Sequence, residues 1–161
     1  MIKNYNNINK VVLMLHQGLG DTLMAIPLLR NIDLVINPDK KVIVLVKSKL
    51  EGEVIKSVSW KRKIDIISVP RYGNIIKYFL LLKVAFQLRF QKTSLLIAPL
   101  LVSRFSNAIW IKIVNSKCNI GPEDFWNNYV FDIIIKPEPG EHFVEYFVRF
   151  GEAAGIDCKI K

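Results

Sequence analysis

Short apolar runs alternate along the chain with longer segments whose apolar residues recur about every 3.6 positions. The runs are rich in valine and isoleucine, and several are stopped by proline, which is typical of strands buried on both faces of a parallel sheet. They predict six strands: Val11–Leu15, Val42–Val46, Ile64–Val69, Ser94–Ala98, Cys118–Gly121 and Phe131–Ile135.

The intervening segments have the length and periodicity of helices. They predict helices over Asp21–Ile36, Leu50–Ser57, Asn74–Phe90, Ser103–Val114 and Glu141–Ala154. Pro27 lies inside the first of these, where it would remove one helical hydrogen bond or end the first turns early. Alternating strands and helices favour the α/β class, as a single Rossmann-like three-layer αβα domain with a mostly parallel sheet over residues 1–161.

Composition limits the classes of protein that fit. At 161 residues the chain has room for one domain and hardly for two, and its 51 % hydrophobic residues exclude a disordered chain. Its two cysteines are too few for a disulfide framework or a cysteine-built zinc site, and we expect them to stay reduced. We find no signal peptide and no apolar run long enough to cross a membrane, so we expect a cytoplasmic protein.

The net charge of +9 is unevenly distributed, because residues 1–92 carry +10 and the remainder −1. Such a basic patch fits nucleic acid, an anionic membrane surface, a phosphorylated substrate or simply a solvated face. No nucleic-acid-binding motif is present, so we expect no nucleic-acid partner. The lysines and the arginine of Ile75–Phe90 are spread around the predicted helix. This pattern fits either a largely buried helix whose lysines reach solvent or a helix that dips into a membrane interface.

The segment His16–Thr22 joins the first strand to the first helix, where ligands of open α/β sheets bind. Gly18 and Gly20 would let a ligand approach the backbone, and the first helical amides would favour an anion. A dinucleotide fingerprint fails at Leu23, and the Gly-Lys-Ser/Thr of a phosphate-binding loop is absent. Asp21 remains, either as a hydroxyl-binding group or general base, or as the cap of its helix.

The run Val11–Arg30 resembles the N-terminus of glycosyltransferase family 9, the lipopolysaccharide heptosyltransferases. The resemblance rests on a strand, a short glycine loop, Gly20-Asp21 and a proline, Pro27, six residues after the aspartate. Further segments resemble the family in order: Thr93–Pro99 its central strand, Ser103-Arg104 the polar loop after it, Lys117–Gly121 a short strand, and Glu141–Tyr146 its His-led helix. The chain departs from the family at Leu15 or His16, where many members carry a basic residue, and at Gln17, where small residues are usual.

The resemblance implies the GT-B arrangement of two Rossmann-like domains, of which this chain would be the acceptor-binding N-terminal one. The C-terminal nucleotide-sugar domain would be absent from these residues. Asp21 would be the general base that activates an acceptor hydroxyl, with inversion at the sugar and no metal or cofactor besides a donor such as ADP-heptose. The implied substrate contacts are Gly18, Leu19, Gly20, Thr22, Ser103, Arg104 and His142, with His142 alternatively a simple helix start.

The resemblance also implies partners: a lipopolysaccharide or other glycan acceptor, a donor-binding C-terminal domain and, peripherally, the anionic inner membrane. Lys61–Lys63 and Arg71 would be acceptor contacts in that setting. We expect the chain to be inactive alone. The competing hypotheses are a non-catalytic glycan- or anion-binding module derived from such an enzyme, and a small nucleotide-binding Rossmann protein.

Overall fold

The structure, a computed structural model, describes residues 8–15, 18–69, 75–101 and 104–156. Within them lies a six-stranded sheet in the order β3-β2-β1-β4-β5-β6, and all five pairings are parallel. The strands are β1 (Lys10–Leu15), β2 (Lys41–Val46), β3 (Ile64–Ser68), β4 (Leu95–Ile97), β5 (Cys118–Pro122) and β6 (Ile133–Ile135). Each predicted strand is confirmed, with ends that differ by one or two residues.

Helices cover both faces of the sheet. They are α1 (Leu19–Met24), α2 (Ile26–Val35), α3 (Lys49–Ser57), α4 (Ile75–Phe90), α5 (Phe105–Val114) and α6 (Phe143–Ala153). Alternate residues of β1 point to opposite faces, so Leu13 packs with α2, α3 and α6, whereas Val12 packs with α4 and α5. The two resulting cores confirm the predicted three-layer α/β fold of the Rossmann type.

The first helical segment is broken at Ala25. This residue ends α1 and also begins α2, and Pro27 lies in the first turn of α2, where its missing amide costs no helical hydrogen bond. The single helix predicted over Asp21–Ile36 is therefore two helices. Pro27 was expected either to remove one helical hydrogen bond or to end the first turns early. The second effect is observed, because α1 ends at Met24.

Arg62 is buried although it was predicted to be part of an acceptor-contacting basic patch. Its side chain is only 3 % exposed, and its Nε donates to Oδ1 of Asp33 on α2 at 2.8 Å. The other guanidinium nitrogens donate to the carbonyls of Asp33, Ile36 and Asn37 at the end of α2. The guanidinium thus caps α2 and satisfies carbonyls that have no partner within the helix.

The prediction of an acceptor contact is therefore wrong for Arg62. Its neighbours Lys61 and Lys63 are exposed, so for them the prediction stays open. Arg71 lies outside the described residues.

One side of helix α4 is buried and the other is exposed to solvent. Ala85 and Leu88 pack into the core, while Phe79, Phe86 and Phe90 on the opposite side are exposed. The prediction of a largely buried helix is wrong for that outer side. In the part of the chain that the structure describes, no helix is long and apolar enough to cross a membrane.

The ring of Phe131 packs directly against Gly121 at the end of β5. A methyl group on residue 121 would fall within this ring, so glycine is required there by the close approach. Phe131 was predicted to lie in the sixth strand, but it precedes β6 and is buried between β5 and the α4–α5 layer. The amide of Phe131 donates to the carbonyl of Asn127 in the preceding turn at 3.0 Å, so this residue does not begin the strand.

Candidate functional site

The carboxyl edge of the sheet collects the loops that follow β1, β4, β5 and β6. Strand order reverses between β1 and β4, since β2 and β3 lie on one side of β1 and the later strands on the other. Ligands of open α/β sheets bind outside the carboxyl ends of the strands at such a reversal. Gly18 and Asp21 follow β1, and Pro99 and Leu101 follow β4, so both segments border this position.

Asp21 is the third residue of α1 and is half-buried. The N-cap is Gly18, in extended backbone with φ 173° and ψ 178°, so the alternative prediction that Asp21 caps its helix is wrong. Oδ2 of Asp21 lies 3.7 Å from the position that a Cβ on residue 18 would take, which places the carboxylate over the glycine. This carboxylate is stabilised by the positive end of the short helix, and its charge disfavours an anionic ligand beside it.

The other residues of the glycine loop differ in access. Leu19 and Gly20 are exposed, and a Cβ on residue 20 would meet no described atom within 4 Å. Thr22 is fully buried, and both its hydroxyl and its amide donate to the carbonyl of Gly18 at 3.0 Å. The side chain of Thr22 thus ties α1 to the loop, and its contact with substrate stays a prediction. Contacts of Gly18, Leu19 and Gly20 with a ligand stay predictions.

Two of the remaining predicted contacts lie at helix starts. Arg104 is the exposed N-cap of α5, and its role in binding stays a prediction. His142 is the N-cap of α6, where its Nδ1 accepts the amide of Val144 at 3.2 Å and the Glu145 carboxylate accepts the amide of His142 at 3.3 Å. This reciprocal capping box makes His142 the start of α6, and a contact of its exposed side chain with substrate stays a prediction. Ser103, like His16 and Gln17, lies outside the described residues.

A cleft of about 420 Å³ opens at the same edge, between the loops after β4, β5 and β6 and the first turn of α6. Its walls carry three carboxylates, Glu123, Asp124 and Glu141, with Phe143 and Tyr146 beside them. We call it the acidic cleft. Sequence reasoning missed it, although acidic residues follow β5 directly and follow β6 closely. Helix α1, which carries Asp21, packs against α6, and the first turn of α6 forms part of the wall of this cleft.

Burial, hydrogen bonds and charge shift the pKa values of two groups of the cleft, Glu141 and Tyr146. Burial raises the pKa of Glu141, but the amide of Glu138 and the guanidinium of Arg149 lower it by more, so the net pKa lies below the ordinary value. Arg149 donates to both carboxylate oxygens of Glu141, at 2.9 and 3.1 Å. Burial, assisted by Glu141 and opposed by Arg149, raises the pKa of Tyr146 to about 12, so its phenol remains neutral.

The arrangement offers carboxylate acceptors and a neutral hydroxyl donor around an aromatic side chain. Carboxylates accept hydrogen bonds from hydroxyl groups. Glu123 is paired with Lys136 at 2.6 Å and Glu141 with Arg149 at 2.9 Å, so these cations largely offset the negative charge of the two carboxylates. The edge therefore offers hydrogen-bonding groups to a hydroxyl-rich ligand. Among the described residues, no group of three or more His, Cys, Asp or Glu side chains is arranged to hold a metal ion.

Solved structures of similar architecture identify the fold. The glycosyl transferase family 9 protein from Veillonella parvula DSM 2008 matches 92 % of this chain with a TM-score of 0.73 at 15 % identity, and the match covers 41 % of that protein. The chain shares its fold with glycosyltransferases. Escherichia coli heptosyltransferase WaaC with ADP matches 94 % of the chain (TM-score 0.70, 13 % identity, 49 % of that protein).

A third glycosyltransferase structure also matches most of this chain over less than half of its own length. E. coli ADP-heptose lps heptosyltransferase II matches 88 % of the chain with a TM-score of 0.66 at 12 % identity, over 39 % of its own length. The chain thus spans less than half the length of each of these glycosyltransferases. The sequence matches no model of a protein family and no curated protein.

Proposed function

We propose that this chain is the acceptor-binding part of an inverting, heptosyltransferase-like glycosyltransferase of the cytoplasm. The full enzyme would transfer a sugar from a nucleotide sugar such as ADP-heptose to a lipopolysaccharide or other glycan acceptor. The observation that carries the proposal is the fold shared with three glycosyltransferases over 88–94 % of this chain but less than half of theirs. A donor-binding domain would supply the rest of the site.

Asp21 is the residue to which we assign the proton transfer. Its carboxylate takes the proton of the acceptor hydroxyl while that oxygen forms a bond to the anomeric carbon of the donor. The bond from this carbon to the diphosphate breaks on the opposite face, so the sugar inverts and the nucleoside diphosphate leaves with the bonding electrons. A half-buried carboxylate at a helix start, beside the strand-order reversal, supports this assignment.

The acidic cleft is the place that we assign to the acceptor's other hydroxyl groups. Its carboxylates and the Tyr146 phenol supply acceptors and a donor, and the Phe143 ring, 54 % exposed, supplies an apolar surface. Asp21 and the cleft lie at the same edge of the sheet, and we assign both to one bound glycan. No metal or cofactor besides the donor enters this mechanism.

The test uses this chain together with the polypeptide that carries a donor-binding domain, joined to it or supplied separately. We expect Asp21→Asn to lower kcat by about 10²- to 10⁴-fold, the usual contribution of general base catalysis, with acceptor affinity and melting temperature nearly unchanged. Asp39→Asn, at an exposed aspartate after α2, is the matched control. An unchanged rate for Asp21→Asn would refute the assignment of the base.

A second function, a non-catalytic glycan-binding module, is favoured by one observation: the acidic cleft combines carboxylates, the Tyr146 phenol and the exposed Phe143 ring. Titration of the chain alone with uncharged core oligosaccharides distinguishes the cases. Binding that Phe143→Ala abolishes, with no transfer in the presence of any donor-binding polypeptide, would support the module. Transfer by the chain alone would contradict both this module and the acceptor-domain proposal.

A further inference from the structure

Lysines occur where the first five strands of the sheet begin. β1 starts at Lys10 and β2 at Lys41. Lys63 and Lys117 directly precede β3 and β5, and Lys92 lies three residues before β4. Because all the strands are parallel, these five residues lie together at the amino edge of the sheet, opposite the edge that carries the acidic cleft. We call them the lysine row.

The strand order sets the length of the lysine row. Across the sheet its members follow one another as Lys63, Lys41, Lys10, Lys92 and Lys117, and Lys10 is the direct register partner of Lys41. Neighbouring strands lie about 4.8 Å apart, so the row extends over about 19 Å. All of its members except Lys10 are exposed.

Lys10, in the centre of the row, is affected by the charge of its neighbours. It is 7 % exposed, and its Nζ donates to the carbonyl oxygen and to Oε1 of Gln91, at 3.0 and 2.7 Å. Burial lowers the pKa of Lys10, the charge of Lys41 lowers it further, and Asp65 offsets part of the shift. Positive charge is thus concentrated along the strand starts.

The carboxylates near this edge do not neutralise the lysine row. Asp33 is paired with the buried Arg62, and Asp132, which precedes β6, accepts the amide of Asn119 at 2.7 Å. Asp39 is exposed in the turn after α2. Among the described residues, no carboxylate forms an ion pair with a lysine of the row. The exposed lysines therefore present unpaired positive charge to the described surface.

The helices that end at this edge do not account for the lysines either. Helices α2, α3, α4 and α5 return antiparallel to the strands, so their carbonyl ends, which favour cations, lie at the amino edge. The end of α2 is capped by Arg62. The last turns of α3, α4 and α5 carry their own cations, Lys56, Arg89 and Lys112. The lysine row adds positive charge beyond these.

The side chains beside the row favour a carboxylate partner over a nucleic acid. Arg62 is buried against α2, Trp60 packs against the core, and the exposed ring of Phe90 stands on the outer side of α4. The described row therefore consists of lysines alone. It lacks the exposed arginines and rings with which proteins grip phosphates in pairs of hydrogen bonds and stack on bases.

We propose that the lysine row docks an acidic α-helix of a partner protein. One turn of an α-helix rises about 5.4 Å, close to the spacing of about 4.8 Å between strands, so a helix laid across the strand starts brings one carboxylate per turn to the row. About 13 residues of helix cover its 19 Å or so. The proposal goes beyond the glycosyltransferase function and does not rest on it, because the row lies at the edge of the sheet opposite Asp21.

The experiment measures binding of the chain to a fluorescent alanine-based helical peptide that carries one glutamate per turn along one side. The same peptide with glutamine in place of glutamate is the control ligand. We expect the glutamate peptide to bind, with an affinity that falls as salt is added, and the glutamine peptide not to bind.

Two chain variants of equal net charge locate the contact. The row variant is Lys41→Gln/Lys63→Gln/Lys92→Gln/Lys117→Gln. The control variant removes four exposed lysines from other surfaces: Lys47→Gln/Lys49→Gln/Lys83→Gln/Lys112→Gln. The row variant should weaken binding on the order of tenfold, the sum of several exposed ion pairs, and the control variant should change it little. Melting temperatures close to that of the parent protein show that both variants are folded.

Lysine acetylation of the parent chain, read by mass spectrometry, tests the contact without any substitution. The bound glutamate peptide should protect Lys41, Lys63 and Lys92 but not Lys47 or Lys49. Failure of the glutamate peptide to bind, or equal weakening by the row and control variants, would overturn the proposal. So would tighter binding of single-stranded oligouridylate that the row variant abolishes, since the partner would then be a nucleic acid.

Discussion

Replacing Arg62 with methionine should destabilise the protein by about 3–5 kcal/mol, the usual cost of removing one partner of a buried ion pair. The side chains of Arg62 and Asp33 are only 3 % and 7 % exposed, so water cannot replace the lost guanidinium. The Asp33 carboxylate would keep one described donor, the amide of Lys61 at 2.8 Å, and the carbonyls that end α2 would lose theirs.

The magnitude is large for a domain of this size. Domains are typically stable by about 5–15 kcal/mol, so the loss is a sizeable fraction of the total. Each kcal/mol corresponds to roughly 2–4 °C in melting temperature for a domain of comparable length. The reciprocal variant Asp33→Asn should also be strongly destabilising, and the double variant should cost less than the sum of the two, because each single change already breaks the same pair.

Urea unfolding followed by circular dichroism measures these differences. The control is Lys56→Met, which breaks the ion pair with Glu53 at the same kind of distance, 2.9 Å, but with side chains 61 % and 67 % exposed. An exposed pair contributes about 0–1 kcal/mol, so this control should change little. If Arg62→Met cost no more than Lys56→Met, the argument from burial would be refuted.

Further variants test other contacts. Gly121→Ala should lower the free energy of unfolding by about 1–3 kcal/mol, because the new methyl group meets the Phe131 ring. Adding Phe131→Leu should restore part of this loss, and urea unfolding measures both differences. Gly20→Ala should raise the melting temperature, because alanine favours the helix and meets no described atom, yet weaken glycan binding by calorimetry if a ligand approaches there. Glu141→Gln should lower the free energy of unfolding at neutral pH, because it removes the attraction between the Glu141 carboxylate and Arg149. Below the lowered pKa of Glu141 the parent protein has already lost this attraction through protonation, so the variant should there be as stable as the parent. An equal loss of stability at both pH values would contradict this sign.

The strand pattern and the place of the glycine loop could be predicted from sequence, because both depend on local order along the chain. A continuous apolar run such as that of β1 is buried on both faces wherever it pairs, and the loop after it must lie at the carboxyl edge of a parallel sheet. Asp21 was identified as a candidate because it lies in this loop region. The sequence pattern did not give the exact start of the helix, so the position of Asp21 as the third residue of α1 is known only from the structure.

The acidic cleft could not be assembled from the sequence by the same reasoning. Glu123 and Glu141 are eighteen positions apart, and they line one cleft because β5 and β6 are neighbours and α6 turns back over them. The pKa of Glu141 likewise depends on Arg149, eight residues later in α6, so it is set only when this helix has formed.

The sequence by itself determined the α/β class, the six strands and the position of Asp21 at the ligand-binding edge, because each follows from neighbours along the chain. The tertiary structure decided which charged and aromatic residues meet solvent. Arg62 stands in a run of three cations, yet its side chain is buried because the guanidinium donates to carbonyls at the end of α2. Phe86 belongs to an apolar helix, yet it lies outside because one side of α4 suffices to cover the sheet. Burial depends on which elements pack together, and that is a property of the whole fold.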